Sequence, residues 1–148
     1  MSGSLVRGCP ACGTKNRVPY GRLPDSGNCG SCKGALPPVD EPIDADTAGF
    51  DEIVKTSPVP VLVDFWAPWC GPCRVAAPGV KKVAHDMAGK AIVLKVNTDQ
   101  EPSLASRYHV QGIPNFVVLK KGQVVSQQAG VARPDQMKSW LEAAAAAA

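Results

Sequence analysis

Apolar positions follow two periods along most of this chain, and the change from one to the other marks out its elements. Phe50, Ile53 and Val54 share one side of a helix capped by Asp46 or Thr47 and closed by Pro58 and Pro60. Val61-Leu-Val-Asp-Phe-Trp66 is a nearly continuous run of β-branched and aromatic residues, as expected for a central strand covered on both faces. A second helix starts near Cys70, carries Val80, Val83, Ala84 and Met87 at helical spacing, is expected to bend at Pro78 and stops at Gly89. Ala91–Val96 predicts another strand and Glu101–Tyr108 a short helix. Asn115–Leu119 then pairs across Lys120–Gln123 with Val124-Val125 as a hairpin. Pro134 opens a final helix with Met137, Trp140, Leu141 and Ala144 on one stripe, and the six terminal alanines prolong or fray it. Alternating strands and helices with a closing hairpin predict an α/β fold, a central mixed sheet flanked by helices on both faces.

The first 34 residues break this pattern. Leu5, Val6, Val18, Tyr20 and Leu23 are nearly their whole supply of large apolar side chains, and glycine recurs at positions 8, 13, 21, 27, 30 and 34. Burial alone does not offset the chain entropy of such a segment, which needs metal or disulfides. Charge also divides the chain. Residues 1–34 carry five basic groups against one acidic, whereas residues 35–52 carry six acidic and no basic ones. Three prolines within Leu36–Asp44 resist helix at that change. The expected division is an N-terminal module over 1–36 and a globular domain over 37–148.

Composition narrows the function. Hydrophobic residues at 45% and charged residues at 20% suit a globular protein with a core. A net charge of +3 is too small a field to argue for nucleic acid. There is no signal-peptide core and no apolar run long enough to span a membrane, so the expectation is a cytoplasmic protein without a membrane partner. In a reducing compartment six cysteines are ligands or redox catalysts before they are structural bridges. All six fall in C-x-x-C pairs: Cys9/Cys12, Cys29/Cys32 and Cys70/Cys73.

The two N-terminal pairs are separated by sixteen residues, within the window for a four-cysteine zinc site. Cys9, Cys12, Cys29 and Cys32 would complete a tetrahedral shell around one Zn²⁺ per chain, leaving no position for water, so the metal would be structural or redox-responsive. Two disulfides, further redox centres or an iron–sulfur cluster are the alternatives on the same four residues. Nothing implies a bound organic cofactor.

The third pair sits after the central strand at the start of a helix. There, unpaired N–H groups and a partial positive charge favour a thiolate, and Pro72 costs little because its missing N–H has no helical partner. An exposed Cys70 thiolate can attack a disulfide in another protein, and Cys73, one turn deeper, can resolve the mixed disulfide. A structural disulfide or half of a metal site is the alternative. Asp64, in the middle of an apolar strand, is costly to bury charged and should have a raised pKa, whether it serves the cysteines or only bonds backbone or Lys95. Lys95 is either a tuning charge or a solvated edge lysine. Trp66 can pack in the core. Trp69 beside the nucleophile, with Gly71 and Pro72 between the cysteines and Gly130 allowing close approach, outlines a shallow surface for a substrate chain.

Val63-Asp-Phe-Trp-Ala-Pro-Trp-Cys-Gly-Pro-Cys73, with Pro78, Lys95 and Ile113-Pro114, resembles the signature of thioredoxins over roughly residues 40–142. The resemblance implies a thioredoxin fold and protein-disulfide reduction by Cys70 and Cys73. It implies proton exchange between Asp64 and Cys73, with Lys95 close to that carboxylate. It further implies a cis Pro114, with Ile113 offering backbone groups to the substrate. Asn115 stands where a threonine is usual, which bears on substrate preference. The four-cysteine module and Asn16-Arg-Val-Pro19 resemble the zinc-containing second thioredoxins of many bacteria. That form implies electrons from NADPH through thioredoxin reductase, disulfide-containing client proteins and a monomer. A zinc-dependent adaptor, or an oxidase or isomerase of an oxidising compartment, would use the same fold; Gly71-Pro72 between the cysteines resembles reductases more.

Overall fold

The structure is a computed structural model that describes residues 3–147. Ala148, the last of the six alanines, and the first two residues of the 1–36 module lie outside it. Nine strands and four helices run in chain order through the described residues. β1 (Ser4–Gly8), β2 (Lys15–Pro19), β3 (Gly27–Asn28) and β4 (Ala35–Leu36) form two small antiparallel ladders, β1 with β2 and β3 with β4. A tight 3-10 turn at Tyr20–Arg22 separates the two ladders.

The larger sheet contains β5 (Ile43–Asp44), β6 (Val61–Trp66), β7 (Ile92–Asn97), β8 (Asn115–Lys120) and β9 (Gln123–Ala129), in the order β5-β7-β6-β8-β9. β5, β7 and β6 are parallel; β8 runs antiparallel to β6, and β9 antiparallel to β8. The helices are α1 (Thr47–Thr56), α2 (Gly71–Asp86), α3 (Pro102–Arg107) and α4 (Pro134–Ala146). Asp46 caps α1, its carboxylate accepting from the Gly49 amide at 2.7 Å. α2 continues through Pro78. The hairpin strand β9 extends well past the two valines read as strand from the sequence, to Ala129.

Strand alternation assigns each face its core. Val63, Phe65, Leu94, Val96 and Val117 pack under Phe50 and Ile53 of α1 and Leu104 of α3. Leu62, Val93, Phe116 and Val118 face Val80 and Val83 of α2 and Met137 and Leu141 of α4. The sheet therefore lies between two helical layers, the arrangement expected from the sequence, and β6 and β7 are buried on both faces.

Leu36 packs on Cys9 and Cys29, but most of the few apolar residues of the N-terminal segment join the core of the larger domain. Leu23, 1% exposed, and Val39, 6% exposed, belong to the cluster under α1, with Leu5, Val18 and Tyr20 packed against it. The Gly3 amide donates to the Glu52 carboxylate of α1 at 2.7 Å. The proline-bearing stretch after β4 is likewise docked, with Val39 N–H donating to Leu23 O at 3.0 Å.

Candidate functional site

Cys70 is the N-cap of α2, and its Sγ accepts from the Cys73 amide at 3.2 Å. The two cysteines are joined as a disulfide with their Cα atoms 5.3 Å apart. In the reduced state the same amide and the first-turn N–H groups of α2 stabilise a Cys70 thiolate. Both cysteines are largely buried, with Ala67, Trp66 and Ile113 around them. The sequence suggested an exposed Cys70 above a deeper Cys73; in the oxidised state both are buried instead, Cys70 at 3% exposed and Cys73 at 5%, because the disulfide draws the two sulfurs together under Ala67, Trp66 and Ile113.

Across from the pair, the Ile113–Pro114 peptide is cis, and Ile113 O lies 3.7 Å from Cys70 Sγ. Pro114 O accepts from Gly130 N at 2.8 Å, where Gly130 adopts φ +97. Added atoms at Gly130 and Gly71 would meet open space, so both leave room for an approaching chain. Trp69 is 68% exposed, and its indole N–H donates to Asp99 at 2.9 Å, which holds the ring beside the cysteines. Nothing local in the sequence linked Asp99 to Trp69, because they are thirty residues apart. Asn115 is buried, and its side-chain oxygen accepts from Gln127 of β9 at 3.1 Å.

Asp64 is 2% exposed, and its Oδ1 has no hydrogen-bond partner among the described residues; the same holds for the Trp66 indole nitrogen two residues on. Alternation along β6 turns both toward the α2 face, the face of Cys73. Burial pushes the Asp64 carboxyl up to about 6, opposed by the charge of Lys95. Lys95 lies level with Asp64 in the β6/β7 register, and its ammonium stands 4.3 Å from the centre of the Trp66 ring. Lys95 is half-buried, and its charge acts on the Asp64 carboxyl.

The four N-terminal cysteines converge, with all Sγ atoms within 4.8 Å of one another. Cys9 and Cys32 sulfurs are 3.6 Å apart, and those of Cys12 and Cys29 are 3.7 Å apart. A tetrahedral zinc with Zn–S near 2.3 Å requires sulfurs about 3.8 Å apart, so the residues fit the ion. Two matching loops build the site. Cys9 N–H donates to Thr14 O and Gly13 N–H to Cys9 O; Cys29 N–H donates to Gly34 O and Lys33 N–H to Cys29 O. The residue four after each first cysteine has positive φ, Gly13 at +79 and Lys33 at +64. Asn16 joins the loops by accepting from Gly30 N at 2.9 Å and donating to Cys29 Sγ at 3.5 Å.

Amides aimed at sulfur favour thiolates. The Cys29 thiol is held down to about 6, first by the Cys32 backbone and then by Asn16 and Ser31, and Thr14 lowers Cys12. At Cys32 the Gly34 amide also favours the anion, but the neighbouring sulfurs outweigh it and push the thiol up to about 11. A cation among the four sulfurs would relieve that crowding and favour the thiolate at each of them.

A dithiol at a helix N-terminus after a buried strand, opposite a cis proline, defines a thiol–disulfide exchange protein built on a mixed α/β sheet. The chain belongs to the thioredoxin family: the family model described as Thioredoxin matches residues 41–143. A zinc-ribbon model described as Thioredoxin 2, N-terminal matches residues 8–34. Thioredoxin C-3 of Corynebacterium nephridii is 37% identical over 134 residues, 90% of this chain and 91% of that protein. Thioredoxin 1 of Chlorobaculum tepidum is 47% identical over 89 residues, 60% of this chain and 88% of that one. A solved structure of a point mutant of thioredoxin from Halobacterium salinarum NRC-1 superposes with a TM-score of 0.69 at 32% identity, covering 78% of this chain and 99% of that one. The protein is a thiol–disulfide oxidoreductase that reduces protein disulfides with its Cys70/Cys73 dithiol.

Proposed function

We propose that the Cys70 thiolate attacks a client disulfide, forming a mixed disulfide and releasing the first client sulfur as a thiolate. Cys73 then gives up its proton and attacks Cys70 Sγ. The second client sulfur leaves, and two electrons have passed from the dithiol to the client. The observation that carries this reading is the position of Cys70: N-cap of α2, within 3.7 Å of Ile113 O. Asp64 takes the Cys73 proton through solvent, since a carboxyl near pH 6 is poised for that task, and Lys95 adjusts how readily it does so. Trp69, Gly71, Pro72, Ile113, Pro114 and Gly130 form the rim on which the client chain lies, Ile113 supplying backbone hydrogen bonds.

The N-terminal module, residues 1–36, binds one Zn²⁺ through Cys9, Cys12, Cys29 and Cys32, ahead of a thioredoxin domain over 37–148. Sulfur spacings and the two family matches on either side of residue 36 support that division. The closed shell makes the metal structural, and oxidation of its ligands would release it. Thioredoxin reductase, fed by NADPH, restores the dithiol of a cytoplasmic monomer that needs neither nucleic acid nor a membrane. No described helix is long and apolar enough to cross a membrane.

Insulin reduction with NADPH and thioredoxin reductase tests this. Wild type should turn over, and Cys73→Ser should accumulate a mixed disulfide on Cys70. An inactive, metal-loaded, fully reduced protein would point instead to the adaptor or the oxidase.

A further inference from the structure

Lys95 stands between two carboxylates. In the parallel register Asp44 of β5 and Asp64 of β6 both lie level with it, one strand to either side. Alternation gives the three side chains one face: Ile43, Val63, Leu94 and Val96 point to the α1 layer, so Asp44, Asp64 and Lys95 point to the other. Each lies about 4.8 Å from its neighbour's strand, within reach of a lysine stem. Lys95 makes no ion pair with either carboxylate among the described residues and rests over Trp66 instead.

A cavity of about 480 Å³ opens at this sheet edge, and Asp44, Asp46, Trp66, Lys95, Glu101 and Tyr20 line it. Two of its three carboxylates are engaged. Asp46 accepts from Gly49 N, and Glu101 accepts from the amide and hydroxyl of Thr47 at 2.8 and 2.9 Å. Asp44 is exposed and has no hydrogen-bond or ion-pair partner among the described residues. On α2, Cys73 packs with Ala67 and Trp66, while Lys81, Lys82 and His85 line a separate hollow with Asp40 and Glu41.

We propose that Asp44 is a positioning residue for the redox site, competing with Asp64 for the Lys95 ammonium from the opposite side. The inference builds on the proton role given above to Asp64, but it concerns only how Lys95 is shared. Attraction toward Asp44 draws the ammonium outward, and the Asp44 charge also disfavours a second anion on the same row. Both effects keep Asp64 protonated to higher pH.

Asp44→Asn removes the competitor. At a separation near two strand spacings and partial exposure, the Asp64 midpoint, followed by carboxyl-carbon NMR in the oxidised protein, should fall by about 0.5 pH unit. Asp44→Ser should repeat the fall, Asp44→Glu should restore the wild-type midpoint, and Asp135→Asn on α4 should leave it unchanged. With Lys95→Met in place, Asp44→Asn should move the midpoint by less than half as much. An unchanged midpoint in Asp44→Asn and Asp44→Ser, or an equal shift without Lys95, overturns the inference. The pH profile of insulin reduction separates the two readings. A midpoint that moves while the profile stays fixed removes Asp64 from the proton transfer and leaves the Asp44 competition standing.

Discussion

Three C-x-x-C motifs in one chain are put to two uses, and the backbone that follows each motif decides which. After Cys9/Cys12 and after Cys29/Cys32 the chain turns back through a positive-φ residue, closes a loop with backbone hydrogen bonds and brings four thiols within 4.8 Å. After Cys70/Cys73 it continues as a sixteen-residue helix, so the first-turn amides act on one sulfur and the pair has only itself to bond. Spacing within the motif is identical; what differs is whether a second pair is delivered to the same place.

The largest test of this contrast replaces one cysteine from each use. Cys70→Ser should lower insulin turnover by at least about 10³-fold, since no other group supplies the nucleophile. Cys12→Ser should lower the zinc content while turnover stays within about tenfold, since the two sites belong to separate packing clusters with no residue in common. Comparable losses of turnover in both would erase the distinction.

Leu23 tests whether the module is an appendage or part of the domain. It is 1% exposed under α1, so Leu23→Ala should cost about 3 kcal/mol in a single denaturation transition. An early separate transition of the module would show that the shared packing contributes little.

Asp64 separates the domain's chemistry from its stability. Its carboxyl is raised from 3.8 to about 6, so between those values the folded state holds more protons than the unfolded state. Stability contributed by this group therefore falls as pH rises from about 4 to 6 and stays at its lower level above that. Asp64→Asn should remove the fall and stabilise the oxidised protein at pH 8, by up to about 3 kcal/mol for a shift of this size. Reduction of insulin should slow in the same variant. A stability profile that keeps its wild-type slope would assign the titration to another group.

The smallest effect compares the two metal loops. Lys33 occupies at φ +64 the place that Gly13 fills at +79, so Lys33→Gly should raise stability by about 1 kcal/mol. The Lys33 ammonium also donates to Gly30 O, and a loss of stability would mean that this bond outweighs the backbone relief.

Much of the thioredoxin domain was legible because its strands are long apolar runs and its helices carry regular stripes. β6, β7, β8 and all four helices fall within a residue or two of the positions their patterns predict. β5 escaped because Ile43 and Asp44 are two residues in a proline-bearing acidic stretch, too short for any period to register. β1 to β4 escaped for a related reason: their polar, glycine-rich sequence is ordered by the cysteine loops and by docking onto α1, both long-range effects. The cysteine pairs stood out by their spacing, but only the flanking strand and helix patterns set Cys70 and Cys73 apart from the other four. Asp99 under Trp69, Gln127 against Asn115 and Glu52 on Gly3 were not, since each joins segments distant in the chain.

The most direct measurement is the intact mass of the air-oxidised, zinc-loaded protein under native conditions, followed by alkylation and peptide mapping. The account predicts one zinc and one disulfide per chain, the disulfide joining Cys70 to Cys73, with Cys9, Cys12, Cys29 and Cys32 alkylated only after a chelator is added. A disulfide among those four in the zinc-loaded protein, or Cys70 and Cys73 remaining reduced while they oxidise, would contradict it.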